Sequence, residues 1–224
     1  MSSPFVRRML GGVALALAGG GVAAAAPACD APAPTVLLER FVPADCERCW
    51  QEATPRDRRS RQLVLDWITP GAADAAMASA ALPEALARAR TMPAQQTLYR
   101  SASIARRGAP LLRISDGPGW NGYIGLRLVV TRRAKLPADA VAYAALVEQV
   151  PAGSEGTAVD RQLVRELVGP MGLGELAGES RIEHLRAVRV PEAGRAERLS
   201  SVAWIETAKG EVLAAAQSAP SACR

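Results

Sequence analysis

Histidine is almost absent from this chain: 224 residues contain one, His184. A single histidine excludes multi-histidine metal sites and leaves little basis for a histidine-driven nucleophile. Lysine is nearly missing too, with Lys135 and Lys209 the only two, so the basic charge is almost all arginine. Aromatic residues make up 4% of the chain, too few for a base-stacking surface, which weighs against nucleic-acid binding. Heptads and Gly-X-Y periods are lacking, which excludes coiled coil and collagen. What is plentiful is apolar side chain: 49% of residues are hydrophobic and 22% charged, a composition that argues against disorder and provides for a buried core.

The amino terminus carries its own signal. Residues 1–28 place Arg7 and Arg8 ahead of a Leu/Val/Ala/Gly stretch and end in Ala26-Pro27-Ala28, the layout of a secretory signal peptide. The stretch is too short and too rich in Gly and Ala for a membrane anchor, which needs about 20 strongly apolar residues. Cys29 directly after Ala28 raises a lipid anchor, but Ala26-Pro27-Ala28 lacks the large aliphatic residue such a site prefers. Removal of the signal lowers the formal charge from +5 to +3. All four cysteines, Cys29, Cys46, Cys49 and Cys223, lie in the part that would be exported, where disulfides persist, and a bacterial periplasm is the expected destination.

Along the chain, Thr35–Val42 reads as a buried strand, and Asp45 as the N-cap of a helix over Cys46–Ala53. Arg56–Arg61 is a basic segment closing that helix, and Gln62–Ile68 is a second strand. Leu82–Arg90 reads as a helix with Pro83 in its first turn. Pro110–Ser115 reads as a strand stopped by the turn signal Asp116-Gly117-Pro118-Gly119. Ile124–Val130 alternates apolar with other residues, and further strands are expected at Ala140–Val150, Ile182–Val190, Val202–Thr207 and Glu211–Ala216. Leu163–Val168 is helix or strand. The pattern is α/β first and mainly antiparallel β afterwards, with a seam near residues 118–122.

One motif carries chemistry: Cys46-x-x-Cys49, after a strand and opening a helix. Two intervening residues on a first helical turn bring the sulfurs within bonding reach, and the helix start favours a thiolate on the first cysteine. That thiolate is what attacks a substrate disulfide. The same spacing also serves a structural disulfide or half of a metal site. Glu47 and Arg48, of opposite charge, stand between the cysteines. Cys29 and Cys223 lie at opposite ends of the exported part. Paired, they would close nearly the whole chain into one loop, worth about 4–5 kcal/mol in the chain-entropy picture.

The strand–Cys46-x-x-Cys49–helix unit, followed by Arg107-Gly108-Ala109-Pro110-Leu111-Leu112, resembles the thioredoxin superfamily. The resemblance implies a cis-proline at Pro110 packed beside the cysteines, with the Ala109 backbone offering hydrogen bonds to an extended partner peptide. Over most of the exported part the chain is similar to a family of uncharacterised secreted proteins, a domain of unknown function with a thioredoxin-like core and a β-rich addition. Val36–Phe41, the cysteine pair, Leu146-Val147-Glu148, Gly153–Gly156 and the Val202–Ala216 hairpin carry that likeness. Trp50 stands where that family usually has proline, and Ala109 where threonine is common.

The resemblance therefore implies an α/β fold: a thioredoxin-like core over residues 35–119 and a mainly antiparallel β-rich extension over residues 120–218. The expected activity is thiol–disulfide exchange with a thiol or disulfide protein partner. Cys46 would attack, Cys49 resolve, and Pro110, Ala109 and Trp50 bound the substrate side. No organic cofactor or metal is called for, since the cysteines carry the electrons. The competing expectation is a non-catalytic binding or assembly module with a structural Cys46–Cys49 bridge. A metal carrier built on the same two cysteines is a third.

Overall fold

The structure, a computed structural model, describes residues 33–52, 61–89, 97–105, 108–174, 180–192 and 194–219. The signal segment, Cys29, Cys223 and Arg56–Ser60 lie outside the described residues.

The first apolar run forms β1 (Val36–Pro43), which leads into a one-turn helix, α1 (Glu47–Gln51), and returns as β2 (Gln62–Thr69). β1 and β2 pair in parallel, Val36 against Gln62 through Pro43 against Thr69. A second short helix, α2 (Pro83–Ala89), precedes β3 (Leu98–Ser103), which pairs antiparallel with β1. Then follow β4 (Leu111–Trp120), β5 (Tyr123–Thr131), β6 (Val141–Val150), β7 (Arg161–Gly172), β8 (Arg181–Arg189), β9 (Leu199–Glu206) and β10 (Val212–Gln217).

These strands make two sheets. The larger has the order β10-β9-β6-β7-β2-β1-β3 and the smaller β4-β5-β8. The molecule is thus mostly β, and the expected α/β thioredoxin-like core is corrected. A layered α/β fold needs helices covering its sheet. Here the described helices span five and seven residues, and the cover on one face is a second sheet. The parallel β1–α1–β2 unit is present, but its sheet continues through β7 into antiparallel β6, β9 and β10. Residues 118–122 form the tip of the β4–β5 hairpin, and the large sheet draws strands from both sides of them.

Strand alternation sorts the side chains. On one face of the large sheet, Ala142, Ala144, Leu146, Ala203 and Ile205 meet Leu112, Ile124, Leu126, Leu128 and Val130 of the small sheet. The opposite face carries Leu37, Phe41, Leu65, Trp67, Val147 and Trp204, with Ala85 of α2 packed among them. Phe41 stacks on Trp67 at 6.1 Å and Tyr143 on Trp204 at 5.3 Å between ring centres.

The turn at Asp116–Gly119 is a further correction. β4 runs through that segment with a shift of register, and the hairpin reverses instead at Asn121-Gly122. A two-residue hairpin wants positive φ at both central positions, which Asn-Gly supplies at 49° and 77°. The expected tight turn near Lys209-Gly210 is present, with Gly210 at φ 80° and its N–H donating to Thr207 O at 2.8 Å. Leu163–Val168, open between helix and strand, lies in strand β7.

Candidate functional site

Cys46 and Cys49 form a disulfide with their Cα atoms 5.2 Å apart. The pair sits just beyond the carboxyl end of β1. Cys46 occupies the N-cap position of α1 and is half-buried, whereas Cys49 is 5% exposed. Asp45, expected to cap the helix, is one residue too early. No side chain caps α1, and the Cys46 backbone fixes the entry by donating to Pro43 O at 3.0 Å. Around the pair close Val42, Ala44, Trp50, Ile68, Val150 and Leu163, with Ala75 and Met77 from the following loop. That loop is tied to the approach strand by Met77 N–H donating to Ala44 O at 3.2 Å.

Beneath α1 lies a charged cluster that the motif did not announce. Arg40 of β1, Asp66 of β2 and Arg161 of β7 are all buried to within 1% exposure. Arg40 Nε donates to Asp66 Oδ1 at 2.7 Å, and Arg161 Nη1 lies 3.6 Å from the same oxygen. Asp66 Oδ2 accepts from the Gln162 backbone N–H at 3.0 Å. Arg161 Nε donates to Thr157 Oγ1 at 2.9 Å, and one further arm of each guanidinium group points at the carboxyl end of α1. Arg40 Nη1 donates to Cys49 O at 3.1 Å and Glu52 O at 3.2 Å. Arg161 Nη2 donates to Trp50 O at 2.8 Å and also to Glu52 O. A helix end leaves its last carbonyls without intrahelical donors, and here two buried arginines supply them.

Trp50 completes the arrangement. Both guanidinium groups lie against its ring, Arg40 Cζ 5.6 Å and Arg161 Cζ 5.3 Å from its centre. Its Nε1 donates to Glu155 O at 2.8 Å, which fastens the loop between β6 and β7 over the helix. Trp50 is thereby buried under the cysteines.

Pro110, expected beside the disulfide, leads instead into β4 of the small sheet, whose neighbours are β5, β9 and β10. The cis peptide among the described residues is Gly169–Pro170, not Ala109–Pro110. The structure therefore brings Cys46, Cys49 and Trp50 together and sets Ala109 and Pro110 just ahead of β4 of the other sheet. No protein-family model and no curated protein matches the chain. Among solved structures the fold is similar to HBP35 of Porphyromonas gingivalis. That match has a TM-score of 0.57 at 10% identity over 84% of this chain and 77% of that one. A DUF3823 family protein from Bacteroides ovatus also matches, at TM-score 0.27 and 14% identity, over 57% of this chain and 65% of that one. The first likeness concerns the fold alone.

Two features of the sequence could have exposed the buried cluster. Glu39-Arg40 interrupts an otherwise apolar strand, and Asp66 does the same in β2. Charged residues inside such runs must be paired if buried. On the opposite face Glu39 is paired in just this way. It binds Arg88 of α2 through two bonds of 2.7 and 3.0 Å, and Arg100 of β3 at 3.0 Å. Both arginines also reach Glu206 of β9. Arg88 sits among the rings of Trp204, Tyr143 and Trp67, 4.8, 5.1 and 5.6 Å from their centres. Burial alone would lower the Arg88 pKa, but Glu39 and Glu206 outweigh it and hold the group firmly charged. Among the described residues no cluster of three or more His, Cys, Asp or Glu side chains is arranged to hold a metal ion. No described helix is long and apolar enough to cross a membrane.

Proposed function

We propose that the Cys46–Cys49 pair performs thiol–disulfide exchange, with Cys46 as the attacking sulfur and Cys49 as the resolving one. The observation that carries this reading is the asymmetry of the pair: Cys46 is reachable from solvent at the N-cap of α1 and Cys49 is enclosed by the core beneath it. Exchange needs in-line access to one sulfur and a protected partner that can reclose the bridge. The rigid seating of α1 on Arg40 and Arg161 keeps the two sulfurs adjacent when the bond opens. Export through the amino-terminal signal would put the pair where disulfide chemistry is sustained.

Differential alkylation followed by mass spectrometry tests this directly. In partially reduced protein, Cys46 should alkylate well ahead of Cys49. Cys46→Ser should abolish reduction or oxidation of a model disulfide or dithiol substrate. Equal inertness of both sulfurs in glutathione buffers would overturn the reading.

A specific observation favours a second reading, a non-catalytic binding module with a structural bridge. A cleft of about 810 Å³ opens at the far end of β1 and β2 from the disulfide, bordered by Arg61, Arg113, Arg127 and Arg181. The small sheet beside it exposes Trp120, Tyr123 and Leu185. Reduction potential separates the two readings. A structural bridge resists reduction, with a potential below about −300 mV, and an exchanging one does not.

A further inference from the structure

Arg40 has a donor to spare. Its Nε serves Asp66, its Nη1 serves Cys49 O and Glu52 O, and its Nη2, fully buried, meets no acceptor among the described residues. A buried, charged N–H without an acceptor is costly and calls for an explanation. The fork carrying that donor already touches the backbone of Cys49, the enclosed cysteine. In the disulfide form Cys49 offers no charge to it. On reduction it does.

We infer that Arg40 is a positioning residue for the Cys46–Cys49 couple, holding the Cys49 end of α1 and supplying the buried cation that compensates the Cys49 thiolate when the bridge opens. The inference rests on the exchange reading above. The chemistry balances without a further reagent. A thiolate of the partner attacks Cys46 Sγ, the Cys46–Cys49 bond breaks, and its electron pair leaves on Cys49 Sγ. A second partner thiol, its proton lost to water, attacks the partner sulfur of the mixed disulfide. Cys46 departs as thiolate, the partner leaves as a disulfide, and the protein has gained two electrons. The first departure places negative charge on the enclosed Cys49, whose backbone the buried Arg40 holds.

Other charges face the same spot. Asp45, Glu47, Arg48 and Glu52 flank the pair on its own segment, where solvent screens the exposed ones. Asp66 of β2 and Arg161 of β7 lie beneath it, with Asp66 shared between the two arginines. A buried cation bonded to the backbone of Cys49 favours its thiolate and with it the reduced form, so loss of the cation makes the pair more reducing.

The test is the equilibrium of oxidised full-length protein with graded glutathione or dithiothreitol buffers, for wild type, Arg40→Met and Arg40→Lys. Arg40→Met should lower the equilibrium constant for reduction about tenfold, equivalent to a potential about 30 mV more negative. The apparent thiol pKa of the pair, read from the pH dependence of alkylation, should rise in parallel. Arg40→Lys keeps the charge and should restore most of the shift. Arg165→Met removes a buried arginine paired with Glu148 at 2.6 Å away from α1, and should cost stability without moving the potential. Should Arg40→Met fail to fold, Arg40→Gln, which keeps donors for the two carbonyls, serves as the neutral variant. A folded neutral variant whose constant stays within about twofold of wild type overturns the inference. A wild-type bridge that only dithiothreitol reduces overturns the exchange reading instead, and the comparison of variants in dithiothreitol still decides the role of Arg40.

Discussion

Trp50 shows how much a single side chain can organise. Its position directly after Cys49 invites a role in substrate contact, yet the ring is spent on the interior, against two guanidinium groups, and its Nε1 on Glu155 O. Stacking of a desolvated arginine on an indole is worth roughly 0.5–2 kcal/mol, and the hydrogen bond about 1 more. Trp50→Phe keeps a ring for the two arginines and removes the donor, leaving a carbonyl in the loop over α1 without its partner. It should cost about 1–2 kcal/mol in urea unfolding of the oxidised protein. Amide exchange in residues 152–159 should accelerate more than in β6 or β7. A loss spread evenly over all strands would mean that the loop is not held by this bond.

At the scale of elements, α2 is fastened by one side chain. Of its seven residues Ala85 is the buried one, and Leu86 faces solvent, so apolar packing alone holds the helix weakly. Arg88 does the rest, bridging Glu39 of β1 and Glu206 of β9 inside a ring of aromatics. Arg88→Met would leave two buried carboxylates with only the half-buried Arg100 as counter-ion, and a broken buried pair costs about 3–5 kcal/mol. Thermal unfolding should show that loss, and restoration by Arg88→Lys should be partial because lysine cannot bind both carboxylates through a fork. The strands were largely legible: alternation placed β5, and apolar runs placed β1, β2, β6, β9 and β10 to within a residue or two or three. β3 (Leu98–Ser103), half-buried and exposed by turns, mixes Leu98, Tyr99 and Ala102 with polar residues, carries no such run and was missed. The sheet order was illegible for a physical reason. Arg40 finds Asp66 26 residues away and Arg88 finds Glu206 118 residues away, distances at which local pattern carries no information. The misreading of fold class has the same root. The β1–α1–β2 unit is local and was recognisable, whereas its sheet is completed by strands from the far half of the chain. Of the site, the cysteines were legible from spacing and Arg40 left a hint as a charge inside an apolar run, whereas Arg161, brought in from β7, left none.

Over the whole molecule, stability should follow pH through carboxylates of opposite tendency. Burial would raise the Glu206 pKa, but hydrogen bonds and charge from Arg88 and Arg100 prevail and lower it below the usual glutamate value. A lowered folded value means that the ionised form stabilises the native state. The contribution is complete above the ordinary glutamate range and is lost as pH falls through the folded value. Glu166 of β7 behaves in reverse. Burial first, then repulsion from Glu84 of α2, raise its pKa. Its contribution is complete below the ordinary glutamate range and is lost as pH rises through the raised value, so at neutral pH its ionised form works against the fold. Both glutamates act on the same helix, Glu206 holding it to the sheet through Arg88 and Glu166 repelling it through Glu84. Melting temperatures of two variants across an acid titration should therefore diverge in sign. Glu206→Gln should melt lower than wild type at neutral pH, with the gap closing on acidification. Glu166→Gln should melt higher at neutral pH, and its advantage should vanish below the ordinary glutamate range. Parallel curves for the two variants would show that the packing of α2 against the large sheet is not governed by these charges.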